Sequence, residues 1–110
     1  MIIEIRRYTL KPGKREDFIA FFETENRKAL RDAGMKVFGP LRDLEDERKV
    51  HWMRAFATLE DRDKIKDSFY SGTIWANDIE PLVMPLIEHY EASVTETTAR
   101  FENFDGSHLD

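Results

Sequence analysis

The sequence predicts one α+β domain, in which two strand-helix-strand units share a sheet with helices on one face. Three observations carry this. Strand-like alternation opens the chain over 2–10 and returns over 50–57. A helical apolar stripe lies between the two. A capped helix start at Thr58 leads on to a last segment rich in Val and Thr. The 110 residues leave room for one domain only. About two-thirds of the unfolded surface is buried at this size, enough for a core without staples.

The first strand sets Ile3 and Ile5 on one face and Ile2, Glu4, Arg6, Tyr8 and Leu10 on the other. Lys11-Pro12-Gly13 ends it, since proline then glycine suit the two central torsions of a type II turn. A helix is expected over 14–33. Glu16 and Asp17 suit its positive first turn, and Phe18, Ile19, Phe22, Ala29, Leu30 and Ala33 form the buried stripe. Asn26 interrupts that stripe, and Gly34 ends the helix by accepting a left-handed torsion.

A second strand, 35–43, contains Gly39-Pro40. Proline has no amide hydrogen for a ladder, so the strand belongs at a sheet edge. The charged run 43–49 reads as a solvated hairpin tip, without the glycine and ligand spacing of a calcium loop. On the third strand Val50, Trp52, Arg54 and Phe56 share one face, and His51, Met53, Ala55 and Ala57 the other. Thr58 with Asp61 starts a helix to about residue 70, with Ile65 and Phe69 a turn apart. A short helical piece over 73–80 is expected to stop at Pro81, with 82–87 irregular or extended between Pro81 and Pro85. The last strand is expected over 89–99. The domain is set at 1–100, with 101–110 as a C-terminal tail.

Composition excludes several functions. With no cysteine, disulfides, thiolate nucleophiles and cysteine-ligated zinc are ruled out. A net charge of -5 argues against a nucleic-acid surface. The longest uncharged stretch, from Ser68 to Asn77, is far too short to span a bilayer, and the charged N-terminus is no signal peptide, so a cytoplasmic protein is expected. Three scattered histidines, His51, His89 and His108, give no metal-ligand spacing. No Gly-x-Ser-x-Gly, dinucleotide or P-loop glycine pattern occurs, so no nucleotide cofactor is expected. The first 55 residues hold 13 basic and 10 acidic groups and the rest 4 and 12, an asymmetry that could help copies of the chain recognise each other.

The order β-α-β-β-α-β is that of ferredoxin-like folds. Right-handed crossovers predict the first and third strands as parallel central neighbours. Both helices then cover one face of the sheet. The small Ala55 and Ala57 suit helix packing, which directs Trp52, Phe56, Tyr8 and Leu10 to the uncovered face. A sticky patch of that kind predicts a two-fold homodimer, sheet against sheet.

The candidate site is expected on that same bulky face. Arg6 and Arg54 lie on neighbouring strands, and burying two guanidinium groups is costly unless they are paired. Glu4 neutralises one. The other calls for another acid or a small anionic molecule, in a pocket walled by Trp52, Phe56 and Tyr8. A purely structural Arg-Glu network is the competing reading. His51 falls on the opposite face by alternation and reaches a pocket only if the strand bulges. Trp75 reads as a packing anchor.

At these residues the sequence resembles the NIPSNAP family. The run Ile2-Ile3-Glu4-Ile5-Arg6-Arg7-Tyr8-Thr9-Leu10-Lys11-Pro12-Gly13 is similar to its opening signature, His51-Trp52-Met53-Arg54 to its His-x-x-Arg strand, and Leu59-Glu60-Asp61-Arg62-Asp63 to its Leu-x-x-Arg-Asp helix start. Trp75 and Pro85-Leu86 resemble later landmarks. The resemblance covers about residues 2 to 95. It implies a dimeric α/β barrel with Glu4, Arg6, Tyr8, His51 and Arg54 as family-typical positions, and it names no settled reaction. Relatives sharing the barrel include small-substrate monooxygenases and haem-handling proteins. Two function classes stay open. One is an enzyme or binder for a small anion, with Tyr8 or His51 handling protons and Arg6 and Arg54 holding the acid. The other is a non-catalytic dimer that binds proteins. Haem, ligated by His51 or His89, is a minor branch.

Overall fold

The computed structural model describes residues 1–101. The chain forms β1 (Ile2–Leu10), α1 (Arg15–Phe21), a π-helical segment (Phe22–Asn26), α2 (Arg27–Asp32), β2 (Lys36–Arg42) and β3 (Lys49–Phe56). Then come α3 (Leu59–Tyr70), a second π-helical segment (Ile74–Ile79), α4 (Glu80–Val83), a 3-10 turn (Met84–Leu86) and β4 (Ile87–Glu96). The sheet order is β2-β3-β1-β4, the ferredoxin-like order, with the proline-bearing β2 at an edge. The tail expected over 101–110, with His108, lies outside the described residues from 102 onward.

Local chemistry sets the element ends. Lys14 N–H donates to the Lys11 carbonyl at 3.0 Å, closing the Pro-Gly turn around Gly13 at φ 74°. The Thr58 hydroxyl accepts from the Asp61 amide at 3.1 Å and starts α3 two residues after β3 ends. Gly39 takes φ 121° where β2 bulges over β3, and a Cβ there would lie 2.8 Å from that of Trp52. Only glycine allows so close an approach.

Three expectations are corrected. First, β1 and β3 are antiparallel. The β2–β3 hairpin reverses the chain, so β3 inserts antiparallel between β1 and β2. Second, the bulky face is the one the helices cover. Ile2, Tyr8, Leu10, Val50, Trp52 and Phe56 form one core with Phe18, Ile19, Phe22 and Leu30 from the first helical stretch and with Phe69, Ile79 and Val83 from the second half. The helix-free face carries Ile3, Ile5, Met53 and Ala55 instead, of which Ile3 and Ala55 are buried. Area decides this: the large side chains bury most against the helices, and the alanine sits on the bare side. Third, Pro81 does not stop the helical run, which continues from Ile74 to Leu86 in three geometries. Pro81 and Pro85 each fall in the first turn of a new short helix, where no amide donor is needed.

Candidate functional site: a cationic, aromatic cavity

Strand register brings the charged groups together. Glu4 stands directly opposite Arg54 across β1 and β3, Arg6 opposite Trp52, and Tyr8 opposite Val50. Alternation then puts Glu4, Arg6, Tyr8, Trp52 and Arg54 on one face, the face under the helices. All five are buried.

Glu4 is the centre. It is 1% exposed and holds three guanidinium groups. Its Oε1 accepts from Arg6 at 2.5 Å and from Arg54 at 3.0 Å, and its Oε2 accepts from Arg62 Nε at 2.9 Å. Burial alone would push its carboxyl up. The charge of Arg54, the bonds from Arg54 and Arg62 and the charge of Arg6 outweigh that and hold it down to about 2. Arg62 arrives from α3, whose cap at Thr58 aims its second turn over the start of β1. The register Ile2↔Phe56 puts that end of β1 beside the end of β3.

Aromatic rings box the two sheet arginines. Arg6 lies 5.4 Å from both the Trp52 and Tyr90 ring centroids, and Arg54 lies 5.8 Å from Trp52 and 5.6 Å from Tyr70. The Tyr70 hydroxyl accepts from Arg54 at 2.8 Å, and the Tyr8 oxygen accepts from Arg6 Nε at 3.2 Å. Burial pushes the Tyr8 phenol up despite the arginine beside it, so it stays protonated and keeps its O–H free to donate.

Between this face and the helices lies a cavity of about 380 Å³. Glu4, Arg6, Tyr8, Trp52 and Arg54 line it, and so do Arg62, Lys66, Tyr70, Trp75 and Asn26. Its open side is β4, where Tyr90 and Val94 are 49% and 50% exposed on the cavity face. The cavity lies between the sheet and the helices of this chain, whereas the bulky face of the strands predicts a space between two sheets.

Two residues expected at the site stand elsewhere. Phe56 is buried in the core, with Arg54 5.9 Å from its ring centroid, and does not line the cavity. His51 is on the opposite, helix-free face, its Nε2 2.7 Å from Asp43 Oδ2. The bulge that would swing it inward falls in β2 and not in β3. His89 pairs with Thr9 at the far end of β4, also off the cavity. Neither His51 nor His89 is among the residues that line the cavity. The tryptophan expected as an anchor, Trp75, does pack edge-on against Tyr70 at 4.8 Å, and it lines the cavity as well.

Sequence reading missed Arg62, Lys66 and Tyr70. Their signal was present as an i, i+4, i+8 row on α3, which puts all three on one helix face. Asn26 also had a signal, as the polar break in an apolar stripe. It closes a π-helical turn, a feature frequent at functional sites.

The class is now defined: a small α+β domain of ferredoxin-like order, with an antiparallel four-stranded sheet, helices on one face and an ionic, aromatic cavity between them. Residues 3–100 match the NIPSNAP family, and the chain belongs to it. Solved structures share the fold. An uncharacterized NIPSNAP domain protein from Burkholderia xenovorans is 18% identical with a TM-score of 0.83, over 94% of this chain and 100% of that one. A NIPSNAP family protein from Agrobacterium tumefaciens is 22% identical with a TM-score of 0.80, over 91% of this chain and 88% of that one. A putative antibiotic biosynthesis monooxygenase from Bordetella bronchiseptica is 17% identical with a TM-score of 0.69, over 88% and 96%. No curated protein matches the sequence.

Proposed function

We propose that this NIPSNAP-family domain takes a small organic anion into its cavity, as an enzyme or a binder. The observation that carries this is charge. Arg6, Arg54, Arg62 and Lys66 face the cavity, with Glu4 as the one acid among the described residues that line it. Cations left in surplus inside apolar and aromatic walls favour an anionic guest. Arg6 and Arg54 set the field. Tyr8 is the proton handler we assign, acting as a donor because its phenol stays protonated. Glu4 and Trp52 complete the wall. The chemistry such a site suits is cofactor-free oxygenation or isomerisation of a small acid. The monooxygenase named among the fold neighbours supports that branch by analogy of fold only.

Isothermal titration against a panel of carboxylates and phosphates tests the reading. Arg6→Ala and Arg54→Ala should each weaken binding by about tenfold, as expected when a cation that sets the cavity's field is removed. No binding by the unaltered protein would leave the ionic cluster purely structural.

We also propose a homodimer, paired through the helix-free face. Ile5, Phe38 and Met53 lie on that face, on adjoining strands. The same face supports the second reading, a non-catalytic dimer that binds proteins.

A further inference from the structure

Resting on the anion reading above, we infer that the ligand is an aromatic acid with a second polar substituent, whose carboxylate pairs with Lys66 and Arg62 of α3 while Asn26 hydrogen-bonds the substituent. Arg54 does not fill that role, because both of its terminal nitrogens are spent, and Arg6, which keeps one terminal nitrogen unused, has its guanidinium enclosed by the Tyr8, Trp52 and Tyr90 rings. Arg54 gives its terminal nitrogens to Glu4, Tyr70 and the Met35 sulfur, and Arg6 gives Nε to Tyr8 and one terminal nitrogen to Glu4. They hold the field rather than the ligand.

Lys66 is different. It stands one helical turn after Arg62, lines the cavity and has no ion-pair or hydrogen-bond partner among the described residues. Arg62 bonds Glu4 through Nε and Asp63 through one terminal nitrogen, which leaves the other terminal nitrogen without a partner among the described residues. Two adjacent cations with unused donors on one helix face form a carboxylate clamp.

Asn26 supplies the other polar contact. It is 6% exposed, lines the cavity and makes no side-chain hydrogen bond among the described residues. Its amide atoms are not among the buried side-chain atoms left without a partner, so they open into the cavity, where a ligand's hydroxyl or carbonyl can take the place of water. Trp52, Tyr70, Trp75 and Tyr90 supply flat walls between these groups, which favour a ring over a flexible chain.

The test is titration calorimetry with 6-hydroxy-2-naphthoate, 2-naphthoate, octanoate and inorganic phosphate, on the full chain and on Lys66→Ala and Asn26→Ala, each checked for folding by circular dichroism. The naphthoates should bind about tenfold tighter than octanoate, and the hydroxylated one tighter than its parent. Lys66→Ala should weaken all the carboxylates about tenfold. Asn26→Ala should abolish the preference for the hydroxyl, bringing 6-hydroxy-2-naphthoate and 2-naphthoate to equal affinity. Acid binding that ignores aromaticity, or that survives Lys66→Ala unaltered, overturns this assignment and leaves the anion cavity standing. If no probe binds, phosphate included, the anion reading falls with it.

Discussion

At the scale of single residues, Glu4 matters most. It is the acid that allows three guanidinium groups to converge under the helices. Glu4→Gln keeps the shape and removes the charge, stranding the cations, so it should cost about 3–5 kcal/mol in urea unfolding. The same change raises the cavity's surplus positive charge, so whatever protein stays folded should bind the carboxylate probes more tightly. Equal stability would mean that solvent screens the cluster. The pH dependence follows in sign. Glu4 is held at about 2, below its ordinary 4.5, so its contribution is complete above 4.5 and fades as pH falls through about 2. Asp43, held down to about 2 chiefly by its bond with His51, titrates in the same window. Acid unfolding should therefore begin below about pH 4.5 in the unaltered chain, and this early loss should be smaller in Glu4→Gln. That Glu4, Arg6 and Arg54 share one face of adjacent strands was legible because alternation and strand adjacency are local rules. Arg62, 58 residues from Glu4, was not, since no local pattern says where a helix will lie over a sheet.

At the scale of elements, the sequence punctuated well where a single residue type fixes a torsion or an end. Gly13, Gly34 and Thr58 mark their boundaries as expected. It punctuated badly where two geometries satisfy the same residue. Pro81 reads as a stop, yet it is equally at home in a first helical turn. The two π-helical segments carry no composition signal at all, although Asn26 and Trp75 in them both line the cavity. Thr58→Ala removes the oxygen that caps the Asp61 amide, and should cost about 1 kcal/mol by thermal or urea unfolding. The loss should be visible in acid binding too, since α3 carries Arg62 and Lys66. Gly39→Ala is the sharper probe. Its new Cβ would meet Trp52 at 2.8 Å in a torsion that L-residues rarely adopt, so it should both destabilise the fold and move a wall of the cavity.

At the scale of the whole molecule, the instructive error was which face the helices cover. Alternation divides a strand's residues into two sets without saying which set is inside. Small alanines on one side suggested close helix packing there. The larger gain comes from burying Trp52, Tyr8 and Phe56 against Phe18 and Phe22, and that gain decides the arrangement. The reversal does not remove the case for a dimer; it changes its chemistry. The helix-free face is apolar at β1 and β3, through Ile5 and Met53, and polar along β4, where Arg7 donates to Ser93 at 2.9 Å and lies 3.8 Å from Glu91. An apolar centre with a polar border is the usual plan of an interface. The expected outcome is a particle of twice the 13.0 kDa chain mass by light scattering after size exclusion. Met53→Asp places a charge in the centre of that face, on the opposite side of the sheet from the cavity. It should return the mass to one chain while acid binding persists, because Arg62, Lys66 and Asn26 all stand on the far side of the sheet within one chain. A dimer that survives Met53→Asp would move the interface to another surface. A monomer that loses binding would mean that the sheet needs its partner to hold Glu4 and the arginines in register.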